Sequence, residues 1–455
     1  MNHAFKRLSA LLAMLAPAGI TLAQTDSAVD LDAVSDASLT SAADELDPLK
    51  KSFNNLYYSL RNQGGMSDKD RPTVTLLRER FSSFNETNPE HQQGLMYELQ
   101  LALWLKDDPR IDHLYEGLMM LNPDEATLGL SWAAYFFQKA DYSRADRAYD
   151  RLVNLYPENT EIRLTHSRQL KERNLYARAI TILQRYEFDF GEFPEAAVLL
   201  SDALFADHRF EEAISVLESI PDDVSDQERP FKDAAEALLV DMRQYLEYWQ
   251  QEQEIRAREE EANDLPRAEI ITTRGLIVVE LFENEAPNTV ANFIALSEEK
   301  FYAGTRFHNV LPNLLAQAGD PNSKPGATGI LGDGTPGYYI RDEHFAENHR
   351  KHFAGSLAMA KSPIPNTAGC QFYFTHTPLP MFNGKNTVFG RILSGLNTAR
   401  LLQQDDRIEV INIVRKRDHD YIPEKIPLSA GPTRIELNSK ISDFIDPDDK
   451  QNKQE

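Results

Sequence analysis

From about Pro48 to Tyr248 apolar residues return at steps of three and four while Pro and Gly stay sparse, which is the period of helices that bury one face. The pattern runs on over Phe231 to Asn263. There the stretch Glu252 to Glu261 mixes acidic and basic residues, and an exposed connecting helix is expected. Leu265-Pro266 breaks it. Beyond that point the period changes. Glu269-Ile270-Ile271-Thr272-Thr273 and Leu276 to Leu281 are rich in β-branched residues on either side of Arg274-Gly275, which predicts a hairpin. Ala286 to Glu299 is helical again, with Pro287 near its start and Val290, Phe293, Ile294 and Leu296 as its apolar stripe. Short strands and glycine-containing loops follow. The last third therefore reads as a mostly-β domain of about 150 residues, a closed barrel with one or two helices.

The helical region repeats. Tyr142, Tyr176 and Phe210 are 34 residues apart, and so are Ala145, Ala179 and Ala213. Tyr149, Leu183 and Leu217 keep the step, as do Phe136, Leu170 and Leu204, with Ala102 one step earlier; Pro123 and Pro157 share it. This period, with an aromatic and then Ala three residues on, resembles tetratricopeptide repeats. A small Ala lets two helices approach closely, and each helix pair leaves an apolar face that only the next pair covers. Three or four repeats are expected between about Glu90 and Pro221. The resemblance implies a solenoid with a surface for a peptide or partner protein.

Composition narrows the setting. With 455 residues, two or three domains are expected. A formal net charge of −23 disfavours nucleic acid and anionic lipid as partners. Cys370 is the one cysteine, which excludes an intramolecular disulfide and a multi-cysteine metal site and reads as a small buried residue. His344, His349 and His352 are close in sequence but lack metal-ligand spacing, so no metal and no cofactor are expected. Met1 to Ala23 has Lys6 and Arg7, then an apolar run over Leu8 to Leu22 interrupted by Pro17 and Gly19. Such a leader suits an export signal better than a stable membrane span. Gln24 to Asp47, rich in Asp, Ser, Ala and Thr, reads as a flexible linker. The expected plan is 1–23 signal peptide, 24–47 linker, 48–248 helical repeats, 249–266 charged connecting helix, 267–423 barrel domain and 424–455 tail. Thr433 to Leu437 is an expected edge strand, with disorder from Asp446.

The wording of the last third is more specific than its periodicity. Gly275 to Phe282, Ala286 to Phe293, Phe301-Tyr302-Ala303-Gly304-Thr305-Arg306-Phe307-His308, Gln317-Ala318-Gly319-Asp320, Gly355 to Ala360, Gln371 to Phe374 and Asn383 to Gly390 follow one another in this order. Together they resemble a cyclophilin-type peptidyl-prolyl isomerase. The resemblance implies an eight-stranded antiparallel barrel capped by two helices, and cis/trans isomerisation of X-Pro bonds in client proteins. It also implies a site. Leu314 and Leu315 stand for the apolar floor, Tyr373 for an aromatic wall, Phe382 for an apolar neighbour, and Ala360 for the small residue that leaves room for peptide. Gln317 and Gln371 stand for the amides that hold the substrate backbone, and Phe307 is counted among the substrate-binding residues.

The isomerisation barrier comes from the partial double bond of the amide, roughly 18–20 kcal/mol. A catalyst must bind the twisted amide better than either planar form. No covalent step is needed, only an apolar pocket, backbone anchors and a cation. The family's cation is an arginine after the Phe-His pair; here Asn309 occupies that position. Arg306, an odd step away on an expected strand, faces the other side. Met381 stands where many members have Trp, Asn386 where they have His, and Cys370 where they often have Ser; one residue is inserted between Lys361 and Asn366. The sequence thus suggests an exported folding factor of a bacterial periplasm, with Asn309 and Gln317 at the reacting centre and reduced activity. The alternatives are a proline-peptide binding module without catalysis, or a scaffold of an envelope complex built on the repeats.

Overall fold

The computed structural model describes residues 40–430 apart from 124, 125, 186, 347 and 348. The expected leader, the linker up to 39, the strand Thr433–Leu437 and the tail from Asp446 lie outside the described residues. The chain divides at His166 and Ser167 into two compact units.

The first unit is helical: α1 (Thr40–Asn62), α2 (Arg71–Thr87), α3 (Gln92–Leu105), α4 (Asp108–Leu121), α5 (Ala126–Gln138) and α6 (Tyr142–Leu155), with α7 (Thr160–Glu172) running across the division. Helix α1 begins inside the stretch expected to be a linker. Its composition hides a stripe of Ala42, Leu46, Leu49 and Phe53, which packs with Val74, Phe81 and Tyr97. Phe53 stacks on Trp104 with ring centroids 5.6 Å apart.

The 34-residue step reappears as a repeated turn. Lys106, Ala140, Asn174 and His208 all have left-handed backbone, with φ of 56°, 57°, 58° and 61°. The residue after each donates its N–H to the carbonyl of Ala102, Phe136, Leu170 and Leu204 at 2.9–3.0 Å, the closure of a Schellman turn. These acceptors form one of the columns seen in the sequence. The next helix starts two residues after each left-handed position: α4, α6, α8 (Tyr176–Gln184) and α10 (Phe210–Glu218). Ala145, Ala179 and Ala213 are buried where the helices meet.

In the second unit, α8, α9 (Pro194–Ala206), α10 and α11 (Arg229–Ala262) precede the sheet. Helix α11 passes through the expected boundary at 248/249 without a break, and most of residues 251–262 are exposed, but not all of its charges are. Glu252 and Glu259, seven residues apart on one face, are buried against Arg350. Arg350 donates to Glu252 through Nε at 2.9 Å and Nη2 at 2.7 Å, and to Glu259 through Nη1 at 2.5 Å. Arg391 joins Glu259 at 3.3 Å and Glu280 at 2.7 Å. Burial alone would raise the Glu252 carboxyl; the Arg350 charge overcomes this and holds it below its usual value.

The sheet is antiparallel with strand order β3-β4-β7-β6-β8-β2-β1-β9. Its members are β1 (Arg267–Thr272), β2 (Gly275–Leu281), β3 (Asn309–Leu311), β4 (Leu315–Ala318), β6 (Ser356–Met359), β7 (Phe372–Thr375), β8 (Val388–Ser394) and β9 (Ile408–Arg415). A separate pair joins β5 (Tyr338–Tyr339) to β10 (Ile426–Pro427). The expected closed barrel is a curled sheet with β3 and β9 as its end strands. The segment before β3 meets the start of β9 and the segment before it by the bridge Arg306 to Arg407 and by bonds that include Gly304 N–H to Ile408 O and Phe307 N–H to Asp406 O, both 2.8 Å. Hairpin β1–β2 turns at Thr273-Arg274, and α12 (Pro287–Glu298) lies where the helical stripe placed it. A short α13 (Leu396–Arg400) follows β8.

Strand alternation sorts the side chains onto two faces. Leu357, Met359, Ala316, Ala318, Phe372, Phe374 and Phe389 enter the interior with Phe293, Tyr302 and Cys370. Leu315, Ala358, Tyr373 and Val388, which alternate with them, form a second cluster outside with Phe282, Leu265 and Leu379.

Candidate active site

The outer cluster carries the apolar part of the site. Leu315 and Tyr373 are its buried floor, and Leu314, Ala360, Met381 and Phe382 are its partly buried members. Six residues from four separate sequence blocks thus share one apolar cluster on the outer face of the sheet. The Tyr373 and Phe382 rings lie 5.9 Å apart.

Beside this cluster the polar residues form a line. Asn309 and Gln317 are paired across β3–β4, and Gln317 and Tyr373 across β4–β7. Asn309 Nδ2 donates to Gln317 Oε1 at 3.2 Å, and Gln317 Nε2 donates to Gln371 Oε1 at 2.9 Å. Gln371 Nε2 donates to the carbonyls of Gly332 and Gly334 at 2.7 and 3.0 Å. Carbonyls only accept, so they fix the amide of Gln371, which fixes that of Gln317 and then that of Asn309. The line has one polarity. It leaves the second Nδ2 hydrogen and Oδ1 of Asn309 at the open end, on a half-buried residue.

The loop that supplies the carbonyls is anchored by buried Asp320. Its carboxylate accepts from Asn322 N–H at 2.7 Å and Gly332 N–H at 2.5 Å. A Cβ on Gly334 would fall 1.8 Å from Asp320 Oδ1, so only glycine lets the loop approach this closely.

Tyr373 also has a polar attachment. Its hydroxyl is 2.9 Å from His352 Nε2, while His352 Nδ1 is 3.0 Å from Asn383 Oδ1. Asn383 Oδ1 accepts, so the proton sits on Nδ1, and Nε2 accepts from Tyr373. Burial lowers the His352 pKa to about 4 and raises that of the Tyr373 phenol; both groups are neutral near pH 7. Asn386 Nδ2 donates to Met359 O at 3.0 Å, so it is tied to the end of β6.

Phe307, counted among the substrate-binding residues from sequence, has its ring fully buried in the sheet interior, stacked on Phe374 at 6.4 Å. It belongs to the interior cluster and is not a member of the outer one. Regular strand geometry begins only at Asn309, so residue parity cannot be carried back to Phe307. Arg306 is held by Asp405 at 3.3 Å. His352 and Asn383 were not assigned to the site from sequence: His352 was weighed only as a metal ligand, and Asn383 lies within a quoted block. The signal for them was available only in the polar atoms that Tyr373 needs when buried. Among the described residues no group of three or more His, Cys, Asp or Glu is gathered for a metal, and no helix is long and apolar enough to cross a membrane.

Comparison with known proteins gives a match of residues 267–421 to the family described as cyclophilin type peptidyl-prolyl cis-trans isomerase/CLD. The peptidyl-prolyl cis-trans isomerase of Synechococcus elongatus is 40% identical over 152 residues, covering 33% of this chain and 97% of that protein. That of Helicobacter pylori is 39% identical over 156 residues, covering 34% of this chain and 90% of that protein. The crystal structure of a cyclophilin type isomerase from Cryptosporidium parvum is 29% identical, covering 34% of this chain and 99% of that chain, with a TM-score of 0.30.

Proposed function

Because the chain belongs to the cyclophilin-type peptidyl-prolyl cis-trans isomerase family, we propose that it isomerises X-Pro bonds of client proteins, with a rate reduced by the neutral residue at Asn309. The observation that carries this reading is the polarised line of amides along the rim of an apolar groove. The groove of Leu314, Leu315, Ala360, Met381 and Phe382 suits a prolyl ring, and Gln317 and Gln371 supply backbone anchors already oriented by the loop carbonyls.

The chemistry follows from the amide. In the planar form the nitrogen lone pair is delocalised and accepts no hydrogen bond. In the twisted form it is localised and basic. A donor aimed at that nitrogen stabilises only the transition state, which is what raises kcat. The remaining Nδ2 hydrogen of Asn309 is such a donor, but it carries no charge, and charge-assisted bonds are roughly twice as strong. A preorganised donor is worth about 10²–10³ in rate, so a weakened one leaves measurable catalysis.

The same departure favours a second reading, in which the groove holds proline-containing segments without accelerating them. The helical part is read as tetratricopeptide-like repeats that recruit clients or a partner. The 34-residue recurrence of left-handed turns supports it. Export to a periplasm is read from Met1–Ala23 alone. The test is isomerisation of a short X-Pro peptide by the full chain. A rate above the uncatalysed one that falls about tenfold or more in Gln317→Ala is the expected result. Peptide binding with no acceleration at high protein concentration would replace the enzyme reading by the binding-module reading.

A further inference from the structure

A turn and a helix of the second unit reach the segments that carry Leu314 and Phe382. The first contact is at the turn between α7 and α8, where Asn174 is left-handed. Asn174 Oδ1 accepts from the backbone N–H of Asn313 at 2.7 Å, and its Nδ2 donates to Arg400 O at 2.8 Å. Asn313, itself left-handed with φ of 60°, immediately precedes Leu314. The Tyr176 hydroxyl lies 3.2 Å from Asn313 Oδ1, and the Arg400 guanidinium lies over the Tyr176 ring at 4.7 Å. Arg400 in turn donates to Ala206 O at the end of α9 at 2.6 Å.

The second contact is on α11. The Tyr245 hydroxyl accepts from Asn383 Nδ2 at 2.9 Å and donates to His352 O at 3.1 Å. Asn383 follows Phe382 directly, and its Oδ1 accepts from both the backbone N–H and Nδ1 of His352. The path Tyr245, Asn383, His352, Tyr373 therefore joins a helix to the aromatic wall. Asn174, Tyr176, Tyr245, His352 and Tyr373 are all buried, so water is not at hand to replace a missing partner. The Tyr245 ring is fixed by Phe205 at 5.4 Å and Phe353 at 5.5 Å.

We infer that Asn174 and Tyr245 are positioning residues for the prolyl groove: the helical array is a frame that sets the separation of the Leu314 and Phe382 walls, not a module tethered beside the barrel. This rests on the reading of the groove as the site for the prolyl ring. Losing the Tyr245 hydroxyl leaves Asn383 Nδ2 without its acceptor and His352 O with the Leu379 N–H as its donor, and the strain falls on the 380–383 segment that carries Met381 and Phe382. Losing Asn174 releases the Asn313 N–H and with it the backbone that presents Leu314.

The test uses the full chain. Tyr245→Phe keeps the ring packing and is expected to lower kcat/KM for an X-Pro peptide about tenfold, carried by KM because planar and twisted forms lose the same wall. Asn174→Ala is expected to do likewise. Asn174→Asp, which keeps the acceptor for Asn313, is expected to restore most of the loss. Val240→Ala, on the exposed face of α11, is expected to change nothing. The Met381 methyl resonance should move in Tyr245→Phe and Asn174→Ala and stay in Val240→Ala. Folded Tyr245→Phe and Asn174→Ala proteins with unchanged KM and an unmoved Met381 methyl would overturn the inference. If Tyr245→Phe does not fold, the Asn174 pair decides. If the native protein neither isomerises nor binds the peptide, the functional reading fails, and the Met381 methyl alone decides the framing role.

Discussion

Asn309→Arg tests the catalytic account most directly. Asn309 is half-buried at the open end of the amide line, 3.2 Å from Gln317 Oε1. An arginine there keeps a donor for Gln317 and adds a charge within reach of the prolyl nitrogen. Replacing a neutral donor by a charged one is worth about 1–2 kcal/mol per bond. A preorganised donor at a reacting centre is worth about 3–4 kcal/mol in all. Against this stands the desolvation of a guanidinium among uncharged amides, which partial exposure keeps moderate. The expected net gain is about ten- to a hundredfold in kcat, or about 1.4–2.8 kcal/mol, with little change in KM because the planar amide has no lone pair to offer. Protease-free isomerisation kinetics by line-shape or exchange NMR on an X-Pro peptide measure both constants. A folded variant with unchanged peptide affinity and no gain in kcat would refute the argument that charge at this position is what the pocket lacks.

Other expectations follow from the buried polar groups. Arg350→Met leaves the Glu252 and Glu259 carboxylates buried without their shared guanidinium, and a loss of about 3–5 kcal/mol is expected in thermal or chemical unfolding; adding Glu252→Gln should recover part of it, and no recovery would mean that Arg350 acts through packing on Phe282. The pKa of His352 is lowered by burial from 6.5 to about 4, so the unfolded chain binds this proton first as pH falls. The associated stability, about 3 kcal/mol, is intact above pH 6.5 and lost progressively towards about pH 4. Denaturant titrations across that range should show the slope, and His352→Gln should reduce it by up to one proton; an unchanged slope would reject the buried neutral histidine.

Legibility in the sequence tracked the range of the interaction. The columns at 34-residue spacing were readable because each turn closes on itself, within five residues, through a left-handed residue and the carbonyl of Ala102, Phe136, Leu170 or Leu204. Motifs placed Leu315, Gln317 and Tyr373 together because they sit on regular strands whose alternation is local. The side of Phe307 could not be read because that regularity stops two residues after it, where β3 begins. The start of α1 was missed because Ser, Asp and Thr dominate its first turns, and only the partners of Ala42 and Leu46 in α2 and α3 reveal a buried stripe.

Helix α11 shows why the remainder could not be read. Its charges between Glu252 and Glu261 have the composition of a solvated face, and nothing within the helix distinguishes Glu252 and Glu259 from Glu254 and Glu261. The distinction comes from Arg350, 98 residues from Glu252 in sequence, which lies over the Phe282 ring at 3.7 Å and can remain buried only if carboxylates meet it there. The same holds for Tyr245 and Asn174. As members of helices they look like ordinary packing and turn residues. Their second hydrogen bonds, to Asn383 and to Asn313 N–H, exist only because the helices pack on the sheet. A domain boundary drawn where periodicity changes therefore cuts through the polar contacts that hold the groove. A barrel excised at residue 267 would lose Tyr245, Asn174, Glu252 and Glu259 together.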